Sequence, residues 1–235
     1  VPGDAATDLD LGRTRTVGEI FRDAVWLYTR APLLFIVLAG VVIVPYQVLV
    51  VLVAHGKSGV PVRAEVLVVL IGVALIQPCL ATFQIQVLLA LGDGQRPDLR
   101  GAVRRGAAVL PSVAAAVIVS AIGITVGLFC FLIPGVLLAI RWAVIAPTAA
   151  VEQLNWPAAL RRCAEVTRGN SWRILGLLIL VALLNEIPAG IIGSGDHLAS
   201  AVIGIIVAVI GQSFGTLALC LLYFDLRARE AGPAF

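Results

Sequence analysis

The chain has 235 residues, of which 60% are hydrophobic and only 13% charged, with a formal net charge of +3. A soluble domain carries roughly 45–50% apolar and about 25% charged residues, so this composition excludes a soluble globular protein and points to an integral membrane one. The small positive charge, scattered in short arginine patches between greasy runs, argues against a nucleic-acid partner and suits a lipid headgroup surface.

Taken in chain order, "VPGDAATDLDLGRTRT" is a polar opening, residues 1–15 of which form an N-terminal tail. It has no apolar stretch to serve as a signal peptide, and the sequence has no Met, so Val1 is not expected to be the native start. Thr16 and Glu19 then make a capping box. Behind it Val17, Ile20, Phe21, Ala24, Leu27 and Tyr28 recur at helical spacing, opposed by Glu19, Arg22, Asp23 and Arg30. The pattern predicts an amphipathic helix. A helix crosses a ~30 Å hydrocarbon core in about 20 residues, and six runs are long and apolar enough: 31–54, 66–91, 107–126, 128–150, 172–192 and 198–224. The third and fourth, parted at Gly127, form a tight helical hairpin. Pro45, Pro78, Pro134, Pro147 and Pro188 inside these runs predict kinks or breaks.

Between the spans the amphipathic pattern recurs twice. In "DLRGAVRRGAAVL", Leu99, Ala102, Val103 and Gly106 oppose Arg100, Arg104 and Arg105. In "NWPAALRRCAEVTRG", Asn155 is the expected cap, with Ala159, Leu160, Cys163 and Val166 inward and Arg161, Glu165 and Arg168 outward. Three such helices are expected to lie flat at the membrane interface. With the N-terminus cytoplasmic, fourteen basic residues fall on that side and only Lys57 and Arg63 on the other, so the positive-inside bias puts both termini in the cytoplasm. Lys57 is the one lysine among 17 basic residues, a usage that points to a GC-rich bacterial genome and hence to a bacterial cytoplasmic (inner) membrane.

Each amphipathic helix precedes a span, an outer turn and a second span with a break, at Pro78, Pro134 and Gly215. The fold expected is therefore all-α and polytopic: six transmembrane helices plus three cytoplasmic interfacial helices in a three-fold internal repeat. The single membrane domain is 16–226, its repeats 16–92, 98–151 and 156–226, and 227–235 is a cytoplasmic C-terminal tail.

Arg141 poses the chemical question, because it sits inside a span with no acid nearby in sequence, and an unpaired charge there costs about 2.5–3.5 kcal/mol. In one reading it snorkels to lipid phosphates, with Trp142 as an interface anchor. In the other, Gln84, Gln86, Arg141, Tyr223 and Asp225, which occupy matching positions after the breaks, form an intramembrane polar cluster with Asp225 as counter-ion. Arg104, Arg105, Arg161, Arg162 and Arg168 are candidate headgroup contacts. Asn185 and Glu186 mark the outer end of the fifth span. His55, Asp196 and His197 fall in separate outer loops and are expected to be solvated rather than metal-ligating. Cys79, Cys130, Cys163 and Cys220 lie far apart with no CxxC pair. Ser171, Ser194 and Ser200 lack a nearby base. No catalytic, cofactor or metal site is expected.

"VGEIFRDAVWLYTR", "IPGVLLAIRWAVIAPTAAVEQLNWPAALRRCAEVTRGNSWRILG" and "LLYFDLRARE" together resemble the bacterial membrane-domain family named for glycerophosphoryl diester phosphodiesterases. The resemblance implies a compact multi-span module, sometimes attached to a soluble phosphodiesterase domain. It does not imply that activity here, since the soluble enzyme needs a barrel for which this chain has no room. Two function classes follow. One is a non-enzymatic module that scaffolds or regulates a partner membrane protein or phosphodiesterase domain, or organises membrane lipids at the cytoplasmic leaflet. The other is a small transporter, channel or flippase-like component with a passage along the pseudo-three-fold axis.

Overall fold

The computed structural model describes residues 14–30, 32–54, 68, 70–92, 99–192 and 198–230. The regular structure of the described residues is entirely helical. Five helical stretches are long and apolar enough to cross a membrane, or six if one bent pair counts as a single span.

Helix α1, Val17–Arg30, starts as the sequence predicts. The Thr16 N–H donates to Glu19 Oε2 at 2.7 Å and the Glu19 N–H returns to Thr16 Oγ1 at 3.3 Å, which closes the capping box. Ile20, Ala24 and Leu27 are buried, while Arg22 and Trp26 are exposed. Helix α2, Pro32–Ala54, opens on a proline, whose fixed φ and missing N–H suit a first helical position. It is apolar all round but buries one stripe, Phe35, Leu38, Ala39 and Ile43, and exposes Val37, Val41, Val44, Val48 and Leu52. Water would not tolerate so large an apolar face, and lipid would.

A π-helical turn, Gly72–Ile76, leads into α3, Gln77–Gly92. Pro78 falls just after that turn, and the chain stays helical through it, so the break expected there is only a π-turn within one span. Gly72 leaves room for the Tyr46 ring of α2, and Gly106 for the Phe83 ring of α3. Helix α4 is a single stretch, Leu99–Cys130. It fuses the expected second interfacial helix to the third span, with Pro111 accommodated inside. Gly106 faces inward as expected, but Val103 is exposed.

The hairpin turns at Phe131 rather than at Gly127. Gly127 and Gly135 lie back to back just before and after the turn. The fourth span is α5, Leu132–Arg141, and α6, Ile145–Glu152, parted by a turn at 142–144. Pro134 lies in the first turn of α5, where proline removes only an unneeded donor, so it breaks nothing. The break comes one turn before Pro147, which has no N–H to give the Ala143 carbonyl, so the break expected from that proline exists; the Trp142 ring sits on Gly123 of α4, and the buried Thr167 hydroxyl reaches the Arg141 carbonyl at 3.2 Å.

Gln153, at φ 50°, ends α6. Asn155 then takes the cap position of α7, Trp156–Val166, and its carbonyl accepts the Ala159 N–H at 2.9 Å. Ala159, Cys163 and Val166 are buried, and Arg161, Glu165 and Arg168 are exposed, as the pattern predicts. Gly169, at φ +83°, permits the 108° bend into α8, Ser171–Ile192. The last helix, α9, runs unbroken over Leu198–Glu230 and packs on α1, α2, α3, α6, α7 and α8.

Gly215 is therefore no break. With Gly211 it forms a small-xxx-small face on α9, against which Val181 and Asn185 of α8 pack closely. Among the described residues the expected repeat is not displayed: Pro78 has only a π-turn before it and Pro134 and Gly215 interrupt no helix, and the interfacial segment is separate in α1 and α7 but fused into α4. The core consists of Ile85, Leu88, Ile174, Leu177, Leu217, Leu221, Leu222 and Tyr223, all fully buried.

Candidate functional site

The polar side chains of the bundle gather around the last turns of α9, "YFDLRARE". Tyr223 and Asp225 are two residues apart and so point to different sides of the helix. Each anchors its own network.

Asp225 is fully buried. Its carboxylate accepts the Arg15 backbone N–H at 2.5 Å, Arg229 Nε at 3.1 and 3.2 Å, and Arg173 Nη2 at 3.3 Å. Arg173 and Arg229 also donate to the Arg15 carbonyl, the latter at 2.9 Å. The peptide groups on both sides of residue 15 are thus held, and the Arg15 side chain turns back to Asp23 at 3.0 Å. This ties the segment before α1 to α8 and α9. Asp225 and Arg229 form an i,i+4 pair, the spacing that stacks side chains on one helical face.

On the other side, the Tyr223 hydroxyl donates to Glu152 Oε1 at 3.0 Å. Arg162 of α7 donates through Nε to both Glu152 oxygens, at 3.1 and 3.3 Å. It also grips Glu230 through Nη1 and Nη2, each at 2.6 Å. A planar guanidinium serves two carboxylates at once in a way that an ammonium does not. This network joins α6, α7 and α9.

The five residues expected to converge are parted. Tyr223 and Asp225 belong to the two networks just described. Gln84 is fully buried on α3 and donates to the Ser213 carbonyl and hydroxyl at 3.1 and 2.8 Å. Gln86, two residues on, faces a different side and is half-buried. The Arg141 side chain is exposed at the end of α5, and Asp225 is satisfied by other arginines. Asp225 is a counter-ion, as its position suggests, but to Arg173 and Arg229. Arg141→Ala is accordingly expected to cost only about 1 kcal/mol, the scale of one basic residue at an anionic surface. Melting in detergent checks this, and a loss several times larger would mean a buried partner.

Of the candidate headgroup contacts, Arg104, Arg105, Arg161 and Arg168 are exposed, whereas Arg162 turns inward to its two glutamates. Sequence reasoning missed Arg15, Glu152, Arg173 and Glu230 as partners. The Asp225–Arg229 spacing is the one local signal that could have found part of the network. The Asn185 side chain packs on Gly211. Ser171 is exposed at the start of α8. The four cysteines are free, with Cys163 and Cys220 buried. No group of three His, Cys, Asp or Glu among the described residues is arranged to hold a metal. His55, Ser194, Asp196 and His197 lie outside the described residues, as do the side chains of Arg100, Glu186 and Ser200.

A cavity of about 250 Å³ lies between α3, α4, α6 and α9, beside the break in the fourth span. Ala81, Ala121, Ala143, Ala146 and Cys220 are among its walls, and Arg141 is not. Its hydroxyls, Ser120 and Thr216, already bond to carbonyls of their own helices at 2.8 and 2.9 Å. Comparison with known protein families, curated proteins and solved structures finds no match.

Proposed function

We propose that the chain is a non-enzymatic multi-pass module of a bacterial cytoplasmic membrane that organises lipid at the cytoplasmic leaflet and scaffolds or regulates a partner there. The partner class that the family resemblance implies is a membrane protein or a soluble phosphodiesterase domain. The single observation that carries this reading is how the charges are used. Asp225, the one fully buried acid among the described residues, and the partly buried Glu152 and Arg162 are consumed in ion-pair networks that fasten helices together, and none faces the cavity.

The networks join the N-terminal segment, α6, α7, the start of α8 and the end of α9, all at one end of the bundle. The fourteen-to-two basic bias makes that end cytoplasmic. The same end carries exposed Trp26, Trp156 and Trp172, indoles of the kind that settle at headgroup level. With Arg22, Arg104, Arg105, Arg161 and Arg168 also exposed, this surface suits an anionic leaflet.

The alternative, a small transporter, channel or flippase-like component, draws on the cavity beside the broken fourth span. Its walls are largely apolar and its hydroxyls are internally bonded, which suits packing better than passage. Reconstitution into liposomes separates the two. Spin-labelled phosphatidylglycerol should be immobilised by the protein more than spin-labelled phosphatidylcholine, with no protein-dependent flux of ions or flipping of labelled lipid. Flux or flipping that rises with protein content would favour the alternative, and equal immobilisation of the two lipids would end the lipid reading.

A further inference from the structure

An open groove of about 430 Å³ runs between α4 and the start of α7, lined by Pro111, Ser112, Ala115, Asn155, Trp156 and Pro157. Neither ion-pair network uses it. Three features mark it as a place for an amphiphile rather than a packing fault. Its walls are rigid, since two prolines and an indole have little rotamer freedom to lose on contact. The Asn155 side chain occupies an N-cap position yet makes no capping bond, and the residue is one of those that line the groove. Finally, Arg104 and Arg105 are exposed and stand seven residues before Pro111 and Ser112, respectively, on the same face of α4.

Seven residues of helix rise about 10 Å. The headgroup layer of one leaflet is about 5–8 Å deep, so the arginines and the groove are spaced like the phosphate and the upper acyl chain of one lipid. On α7, Arg161 follows Pro157 by one turn on the same face and is exposed, which adds a third cation. At the groove itself, the Ser112 hydroxyl and the Asn155 amide can donate to the ester carbonyls of a glycerol lipid. Pro111 has no N–H, so the Ala107 carbonyl one turn earlier loses its helical donor and can accept from a headgroup hydroxyl. Excess positive charge, carbonyl-directed donors and an indole wall together define an anionic, hydroxyl-bearing glycerophospholipid.

We propose that the α4–α7 groove is a specific phosphatidylglycerol-type lipid site. Arg104 and Arg105 hold the phosphate, Ser112 and Asn155 the ester carbonyls, and Pro111, Ala115 and Trp156 the upper acyl chain. The proposal rests on the lipid-organising function and adds to it a fixed site. The test uses the full chain in phosphatidylcholine vesicles doped with photoactivatable phosphatidylglycerol or photoactivatable phosphatidylcholine, with labelled peptides mapped by mass spectrometry. Phosphatidylglycerol should label 107–115 and 155–157 in preference to phosphatidylcholine. Arg104→Gln and Arg105→Gln should each lower that preference about fivefold, the equivalent of about 1 kcal/mol, with melting unchanged. Trp156→Ala should weaken labelling by both lipids. Inorganic phosphate should not displace the label; if it does, the arginines bind a free anion and the lipid site is overturned. Equal labelling by the two lipids also overturns it. If spin-labelled phosphatidylglycerol is still preferentially immobilised in that case, only the fixed site fails. If that preference is lost too, the lipid function fails with it.

Discussion

Asp225→Asn is expected to cost about 3–5 kcal/mol, the scale of breaking a buried ion pair by removing one partner. Asparagine fills the same space but carries no charge, and its NH2 group cannot accept the Arg15 N–H. Arg173 and Arg229 would then face each other across residue 15 without an anion between them. The loss should appear as a large drop in melting temperature in detergent. It should be accompanied by tryptic cleavage at Arg22, because the clasp on the segment before α1 is gone. Arg173→Ala should add little on top, since both changes remove one interaction. Glu165→Gln is the control: that carboxylate is about half exposed and pairs with Arg161 and Arg162, and screened pairs of this kind contribute about 0–1 kcal/mol. If Asp225→Asn melts like wild type, the clasp does not hold the fold.

The second large effect is expected at the hairpin. A Cβ added to Gly135 would lie 2.5 Å from the Leu128 backbone nitrogen and 2.6 Å from its Cα. Main chain cannot rotate away, so Gly135→Ala must push α4 and α5 apart at their point of closest approach, at a cost of about 1–3 kcal/mol or more. Gly211→Ala meets Asn185 Oδ1 at 2.8 Å, the end of a side chain that can turn aside, and should cost less. Gly40→Ala meets nothing within 4 Å and gains helix propensity of about 1 kcal/mol. Melting of the three variants in one detergent should rank Gly135→Ala lowest and Gly40→Ala highest. A Gly135 variant as stable as the Gly40 variant would mean that the helices are not in contact there.

What could be read from the sequence divides along sequence separation. The capping box at Thr16 involves residues three apart, and the inward faces of α1 and α7 follow from helical spacing, so local rules suffice for them. The spans follow from apolar run length. The break at 142–144 follows from Pro147 one turn on, whereas the contacts around it, with Gly123 on another helix and Thr167 beyond α7, do not. Pro134 and Gly215 misled: proline is harmless in a first turn, and glycine in a membrane helix serves close packing as readily as kinking. Asp225 could be picked out as a counter-ion, but its partners Arg15 and Arg173 lie 210 and 52 positions away, and no periodicity connects them. Arg141 drew attention because it is flanked by apolar sequence, whereas its exposure is a property of the bundle.

The unbroken α9 has a bearing on how the chain is made. A ribosome delivers residues 198–230 after all the other described helices, and until then α2 has no Val209 to complete the small cluster around Ala39, Ile43 and Leu80. Phe21 and Tyr28 have no Phe214 to meet, and Arg15 has no carboxylate to receive it. Helices α3, α4, α5 and α6 can pack on one another before then, whereas α2 and α8, which lean chiefly on α9, must wait in the bilayer, stable there because each satisfies its own backbone. Completion of the bundle waits for α9, a helix of about 50 Å whose insertion lets α2 and α8 exchange lipid for protein contacts. Nascent chains halted before Leu198 would be inserted but incompletely assembled, so the wait at the insertion machinery is set by the arrival of α9.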